Sequence, residues 1–304
     1  MRTAVAPALL LAGAWLIAAQ DSATFRSTVE RALIPCAVVD AQGAPIANLG
    51  PADFRVTDNG IRRIVEHAWP AADLPLTVGI LIDASDSQRD RLEEHRQTAL
   101  AILGRLLRPS DRAFAVSIGA PVRLWSDLTG SLVELSARVA APPLVPFGPP
   151  CLVTSCGASP LWNAVFESAR KLAPIDSASP GNKALLLLTD GFDTGSPHTW
   201  REAAIETQKA AVPLYAIAYP SDSGASYAPD LNRLVAESGG ACFRPPAGDY
   251  SPILTRLEID LRRGYVLSFR PETLSGKLRH EVEVEVTRPD AAVRARKTYF
   301  QPQL

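Results

Sequence analysis

Leu76-Thr77-Val78-Gly79-Ile80-Leu81-Ile82-Asp83-Ala84-Ser85-Asp86-Ser87 is the stretch on which the fold turns. From Leu76 to Ile82 it is almost wholly apolar and shows no alternation, as expected of a strand buried on both faces of a sheet that helices cover. It then breaks into acids and hydroxyls. Downstream, Leu92, Ala99, Ile102, Leu103 and Leu106 recur at helical spacing, and Ala113 to Ile118 reads as the next strand. The alternation continues with a helix over Trp162 to Leu172, a strand Ala184 to Thr189, a helix near Trp200 to Ala210 and a strand Val212 to Ala218. Leu231 to Ala236 and Ile253 to Leu261 read as further helices. Strands alternating with amphipathic helices predict the α/β class: a doubly wound, mostly parallel, Rossmann-like sheet of about five or six strands, spanning residues 73–262.

On both sides of this region the pattern is β. Upstream, Ala37 to Val39, Phe54 to Thr57 and Ile61 to Val65 read as short strands, with Gln42-Gly43 and Asn59-Gly60 as turns. Asn-Gly supplies the two positive-φ residues of a type I′ turn, so a tight hairpin is expected there. Downstream, Tyr265 to Phe269 is a strand. His280 to Thr287 alternates Glu281, Glu283 and Glu285 with Val282, Val284 and Val286, the mark of one wet and one buried face. A last strand, Val293 to Phe300, carries Arg294 and Arg296 and could lie across from those glutamates. The expectation is a flanking β module made from both ends of the chain, with residues 20–72 and 263–304 packing together (the latter against 33–69) and the α/β domain inserted between them.

The first 19 residues have the form of a secretory signal: Arg2, then the apolar stretch Ala8 to Ile17, then Ala18-Ala19. The apolar stretch falls short of the ~20 residues a bilayer needs, so cleavage and export to a periplasm or beyond are expected rather than stable membrane insertion. Export would let disulfides persist among Cys36, Cys151, Cys156 and Cys242; a Cys151–Cys156 loop is favoured over a Cys36–Cys242 link, and the spacing does not suit a four-thiolate zinc site. With 31 basic and 32 acidic residues among 304, the chain has no net field to draw it to nucleic acid.

The chemistry-bearing residues converge. In open parallel sheets ligands sit beyond the carboxyl ends of the strands, where Asp83, Ser85 and Ser87 would project. The strand Ala184 to Thr189 ends in Asp190-Gly191 at the same edge, and Gly157-Ala158-Ser159-Pro160-Leu161 offers a hydroxyl from a third loop. A hard cation such as Mg²⁺ seeks about six oxygens, and hydroxyls with one or two carboxylates supply them without fully cancelling its charge. The competing reading is that Ser and Asp cap a helix and that Asp-Gly is an ordinary turn.

Asp83-Ala84-Ser85-Asp86-Ser87 fits the Asp-x-Ser-x-Ser motif of the metal-ion-dependent adhesion site of von Willebrand factor A-type (VWFA) domains, which the chain resembles over roughly residues 74–262. Ser159 falls where that family usually has Thr, in what resembles its Gly-Gly-Thr-Ala-Leu segment, and Asp190-Gly191 resembles its Asp-Gly. The flanking hairpin and Gly264 to Phe269 are similar to a bacterial exported branch of the family. The resemblance implies that Ser85, Ser87 and Ser159 hold Mg²⁺ (or Mn²⁺ or Ca²⁺) by their hydroxyls and that Asp83 and Asp190 hold it directly or through water. A protein or peptide partner would complete the shell with a carboxylate. It implies an adhesion or binding protein, not an enzyme. Ala158 and Ser159 depart from the family pattern, and Asp86 adds a carboxylate beside the motif.

A structural scaffold with a purely stabilising cation is the alternative, and a serine hydrolase a weaker one. There is no Gly-x-Ser-x-Gly elbow, and His67, His95, His198 and His280 are scattered. His95 and His280 are expected at the surface or half-buried; only His198 could approach the site. Asp193 and Thr194 are expected to shape their loop.

Overall fold

The computed structural model describes residues 31–141, 158–173, 181–220, 229–245, 248–271 and 279–300; the N-terminal signal and Cys151–Cys156 readings lie outside them. The chain opens with β1 (Ala32–Val39), β2 (Phe54–Asp58), β3 (Ile61–Arg63) and β4 (Val65–Pro70). Asn59 and Gly60 join β2 to β3 with φ of 51° and 80°, as the Asn-Gly pair predicts.

The α/β region follows, with β5 (Leu76–Asp83), α1 (Leu92–Leu106), β6 (Arg112–Ile118), β7 (Arg123–Thr129), α2 (Leu132–Ala140), α3 (Leu161–Leu172), β8 (Asn182–Thr189), α4 (Trp200–Lys209), β9 (Leu214–Ala218), α5 (Pro229–Ser238), β10 (Cys242–Phe243) and α6 (Ser251–Arg262). Its six strands lie in the order β10-β9-β8-β5-β6-β7, parallel except for the edge strand β7. This is the α/β, doubly wound and mostly parallel class. Every residue of β5 is buried. Its side chains divide by parity: Val78, Ile80 and Ile82 pack with α1, α2 and α6, whereas Leu81 packs with α3, α4 and α5. Gly79 keeps that second face open, because a Cβ there would sit 2.4 Å from the Phe114 ring and 2.6 Å from Leu185. Burial of each such Leu or Ile contributes about 1.5–3 kcal/mol, so the sheet and its two helical layers dominate the stability.

The remaining strands are β11 (Tyr265–Phe269), β12 (Arg279–Val286), β13 (Ala292–Ala295) and β14 (Thr298–Phe300). They interleave with the N-terminal ones in two four-stranded sheets, β13-β1-β11-β4 and β14-β12-β2-β3. One apolar cluster joins these sheets, with Ile34, Val38, Leu267 and Phe269 from the first and Phe54, Val56, Val282 and Tyr299 from the second. Edge-on ring pairs cross between them, Phe54 with Tyr265 at 5.4 Å and Phe269 with Tyr299 at 6.0 Å. The sandwich therefore draws on both ends of the described chain.

The glutamates of β12 are exposed, as alternation predicts. The expected arginine partners are not there. Residues 293–300 do not form one strand: β13 pairs with β1, and only β14 reaches β12, where Thr298 lies opposite Glu281. Glu285 lies opposite Arg55 of β2. Arg294 and Arg296 turn instead toward the α/β layer, where Arg294 pairs with Asp260 at 2.6 Å. Cys36 and Cys242 are both free, so that link is not formed.

Candidate metal centre

The strand order reverses beside β5: the chain runs to β6 and β7 on one side, then returns to β8 on the other. The crevice beyond the carboxyl ends of β5 and β8 is the topological switch point, where open α/β sheets bind ligands. Asp83 is the last residue of β5, and Asp190 directly follows β8. Both are buried, at 0% and 1% exposure, as are Ser85 and Ser159; Ser87 is exposed at the mouth.

Hydrogen bonds knit the five side chains together. Ser87 Oγ donates to Asp190 Oδ2 at 2.9 Å and lies 3.2 Å from Ser85 Oγ. Ser159 Oγ reaches Asp83 Oδ2 at 3.5 Å, and the Ser85 amide donates to Asp83 Oδ1 at 3.0 Å. All five expected residues thus meet at one edge from three loops. The helix-cap reading fails at its central residue: Ser85 occupies the N-cap position of the turn Asp86–Arg91, yet its side chain makes no cap hydrogen bond. Asp86 is exposed and pairs with Arg89, outside the cluster.

The third loop is pinned to the second. Thr194 Oγ1 accepts from the Ser159 amide at 2.7 Å, and the Thr194 amide donates to the Ser159 carbonyl at 2.9 Å. Asp193 Oδ1 caps α3 by accepting from the Trp162 amide at 2.9 Å, and Ser196 Oγ accepts from that of Asn163 at 3.0 Å. Asp193 and Thr194 shape the loop, as their position predicts. They hold the Ser159 backbone in place.

Three further residues take part that the motif does not contain. Buried Thr189 donates to Asp83 Oδ2 at 2.6 Å and accepts from the Gly191 amide at 3.0 Å. Gln88 Nε2 donates to Asp190 Oδ2 at 2.9 Å. His95 is fully buried, contrary to expectation; its Nδ1 lies 3.2 Å from the Asp83 carbonyl and its ring lies 4.2 Å from that of Tyr219, tilted by 42°. Burial lowers its pKa to about 4, so it stands behind the site as a neutral imidazole. The only advance signal for Thr189 was its place beside Asp190; Gln88 and His95 gave none.

Burial raises the Asp83 carboxyl above its ordinary value, opposed by hydrogen bonds from Ser85 and Thr189 and aided by the nearby Asp190 charge. Two buried carboxylates therefore lie within electrostatic reach of each other, and no Lys or Arg among the described residues pairs with either; Arg89 and Arg91 pair with Asp86 and Glu94. The donor set is all oxygen, two carboxylates and three hydroxyls, which fits a hard divalent cation. No group of three His, Cys, Asp or Glu side chains among the described residues could hold a metal without such hydroxyls.

None of the four histidines hydrogen-bonds a serine hydroxyl among the described residues. His198 stacks flat on Phe166 at 3.8 Å, and His67 on Trp69 at 4.7 Å. His280, expected near the surface, is buried against Asp58 at 2.8 Å.

No protein-family model matches the sequence, and no curated protein matches it. Solved structures with a similar chain path include the conserved hypothetical protein BatB from Bacteroides thetaiotaomicron, at 14% identity and a TM-score of 0.42, covering 61% of this chain and 96% of that one. The SpRpn10 VWA domain is similar at 11% identity and a TM-score of 0.43, over 62% and 97%. Proximal thread matrix protein 1 of the mussel byssus is similar at 13% and 0.48, over 80% and 51%. Values this low speak to neither ligand nor partner.

Proposed function

We propose that the chain is a non-catalytic binding protein whose α/β domain holds a divalent cation, Mg²⁺ or else Mn²⁺ or Ca²⁺, on Asp83, Ser85, Ser87, Ser159 and Asp190. The observation that carries this reading is the pair of buried carboxylates at one switch point, hydrogen-bonded by hydroxyls and lacking any basic partner among the described residues. Such a pair repels itself until a cation enters, and five donor side chains leave open one of the about six oxygen positions that a hard divalent cation fills. A bound cation would supply Lewis acidity toward a carboxylate. Exposed Ser87 marks the open side from which an Asp or Glu of a protein partner would approach. Thr189 and Gln88 orient the two carboxylates; Thr194 fixes Ser159. The VWFA-type adhesion resemblance of the motif supports the same reading, and the N-terminal pattern supports an exported protein. No helix among the described residues is long and apolar enough to cross a membrane.

The test is calorimetric titration of the protein with Mg²⁺ and Mn²⁺, beside Ser87→Ala and Asp83→Ala. Saturable binding weakened in Ser87→Ala and lost in Asp83→Ala supports the site. No binding to the parent protein sinks the proposal. A cation that raises the melting temperature without any cation-dependent partner favours the scaffold alternative.

A further inference from the structure

A cavity of about 370 Å³ opens where the β sandwich meets the α/β domain. Pro213, one residue ahead of β9, lines it, so it lies where the parallel strands begin, at the end opposite Asp83 and Asp190. Its charge is lopsided. Arg256, Arg294, Arg296 and Lys297 line it against a single carboxylate, Asp260.

That carboxylate is already engaged. Arg256 Nε donates to Asp260 Oδ2 at 2.7 Å, and Arg294 donates to Oδ1 through Nε at 3.1 Å and Nη2 at 2.6 Å. Arg296 has no counter-ion among the described residues. It is 6% exposed, its Nη2 donates to the Leu33 carbonyl and its Nη1 to the Gln208 carbonyl at 3.4 Å, and its buried Nε has no partner among the described residues. Two carbonyls offset only part of the cost of burying a guanidinium, and burial draws its pKa down to about 10. Lys297 stands exposed beside it, with no carboxylate partner among the described residues.

We propose that this cavity is a second binding site, for the carboxylate or phosphate group of a small molecule, with Arg296 and Lys297 supplying the charge that Asp260 leaves uncompensated. The volume falls in the range of about 300–1,000 Å³ typical of small-molecule sites. Oxyanions suit the guanidinium because its N–H groups form charge-assisted hydrogen bonds to them. The site joins β1 and β13 to β9, α5 and α6, so an anion there would tie the sandwich to the α/β domain.

The experiment titrates the full chain, freed of metal by dialysis and held in a buffer without carboxylate or phosphate, with sodium phosphate and separately with sodium succinate. Calorimetry should show saturable one-to-one binding of at least one of them; which binds tighter distinguishes a phosphate from a carboxylate ligand. Lys297→Gln, at an exposed position that leaves the fold intact, or Arg256→Gln should weaken that binding by about tenfold. Ser87→Ala should leave it unchanged, separating this site from the metal centre. Failure of both anions to saturate by about 10 mM, or equal binding by the parent and both variants, overturns the proposal.

Discussion

Ser87 Oγ donates a hydrogen bond to Asp190 Oδ2 at 2.9 Å across 103 residues of sequence, joining the loop after β5 to the loop after β8. Because Ser87 is exposed, its hydroxyl contributes little to the core. Ser87→Ala should change stability by less than about 1 kcal/mol, yet weaken Mg²⁺ binding. Denaturant melts and calorimetry on the same variant separate the two effects.

Thr189→Val tests the support beneath the site. It keeps the shape of the side chain but leaves Asp83 Oδ2 without its 2.6 Å donor, in a fully buried place. The expected loss is about 1–3 kcal/mol of stability, with weaker cation binding. A variant as stable as the parent would show that Asp83 does not depend on this donor.

His95 predicts an acid transition. Its folded pKa lies near 4 against an ordinary 6.5, so between those values the unfolded chain binds a proton that the folded one refuses. Its contribution is fully present above about pH 6.5 and is lost as pH falls toward about 4, up to about 3 kcal/mol. Urea melts across that interval should show this slope, and His95→Phe should flatten it.

Gly240 touches the Leu214 carbonyl so closely that a Cβ would lie 1.8 Å from its oxygen, and backbone cannot swing aside as a side chain can. Gly240→Ala should destabilise the protein by about 2 kcal/mol or more, read as a lower urea midpoint with an unchanged slope.

Truncation after Arg263 would remove both neighbours of β1, namely β11 and β13, together with β12, the partner of β2. Hydrogen exchange should then show residues 32–39 unprotected. Protection of β1 in the truncated chain would contradict the pairing.

The long buried strands were legible because a segment covered on both faces must be apolar throughout, as β5 and β8 are. The edge strand β7, half exposed and interrupted by Ser126 and Asp127, carries no such run, and the two-residue β10 is too short for any pattern. The five oxygen-bearing residues were legible because strand ends and helix starts place them. Thr189 was not, since a threonine closing a buried strand looks the same whether its hydroxyl meets a carboxylate or a carbonyl.

The sequence alone determined the α/β class, the Asn59-Gly60 turn and the convergence of Asp83, Ser85, Ser87, Ser159 and Asp190 on one edge, because each follows from local periodicity or from short motifs bound to a strand end. Only the tertiary structure decided where Arg294 and Arg296 point, that His95 and His280 are buried, and that no basic side chain among the described residues neutralises the two aspartates. Those are properties of pairs distant in the chain. Alternation says which residues leave the solvent, but register and packing select what each of them meets.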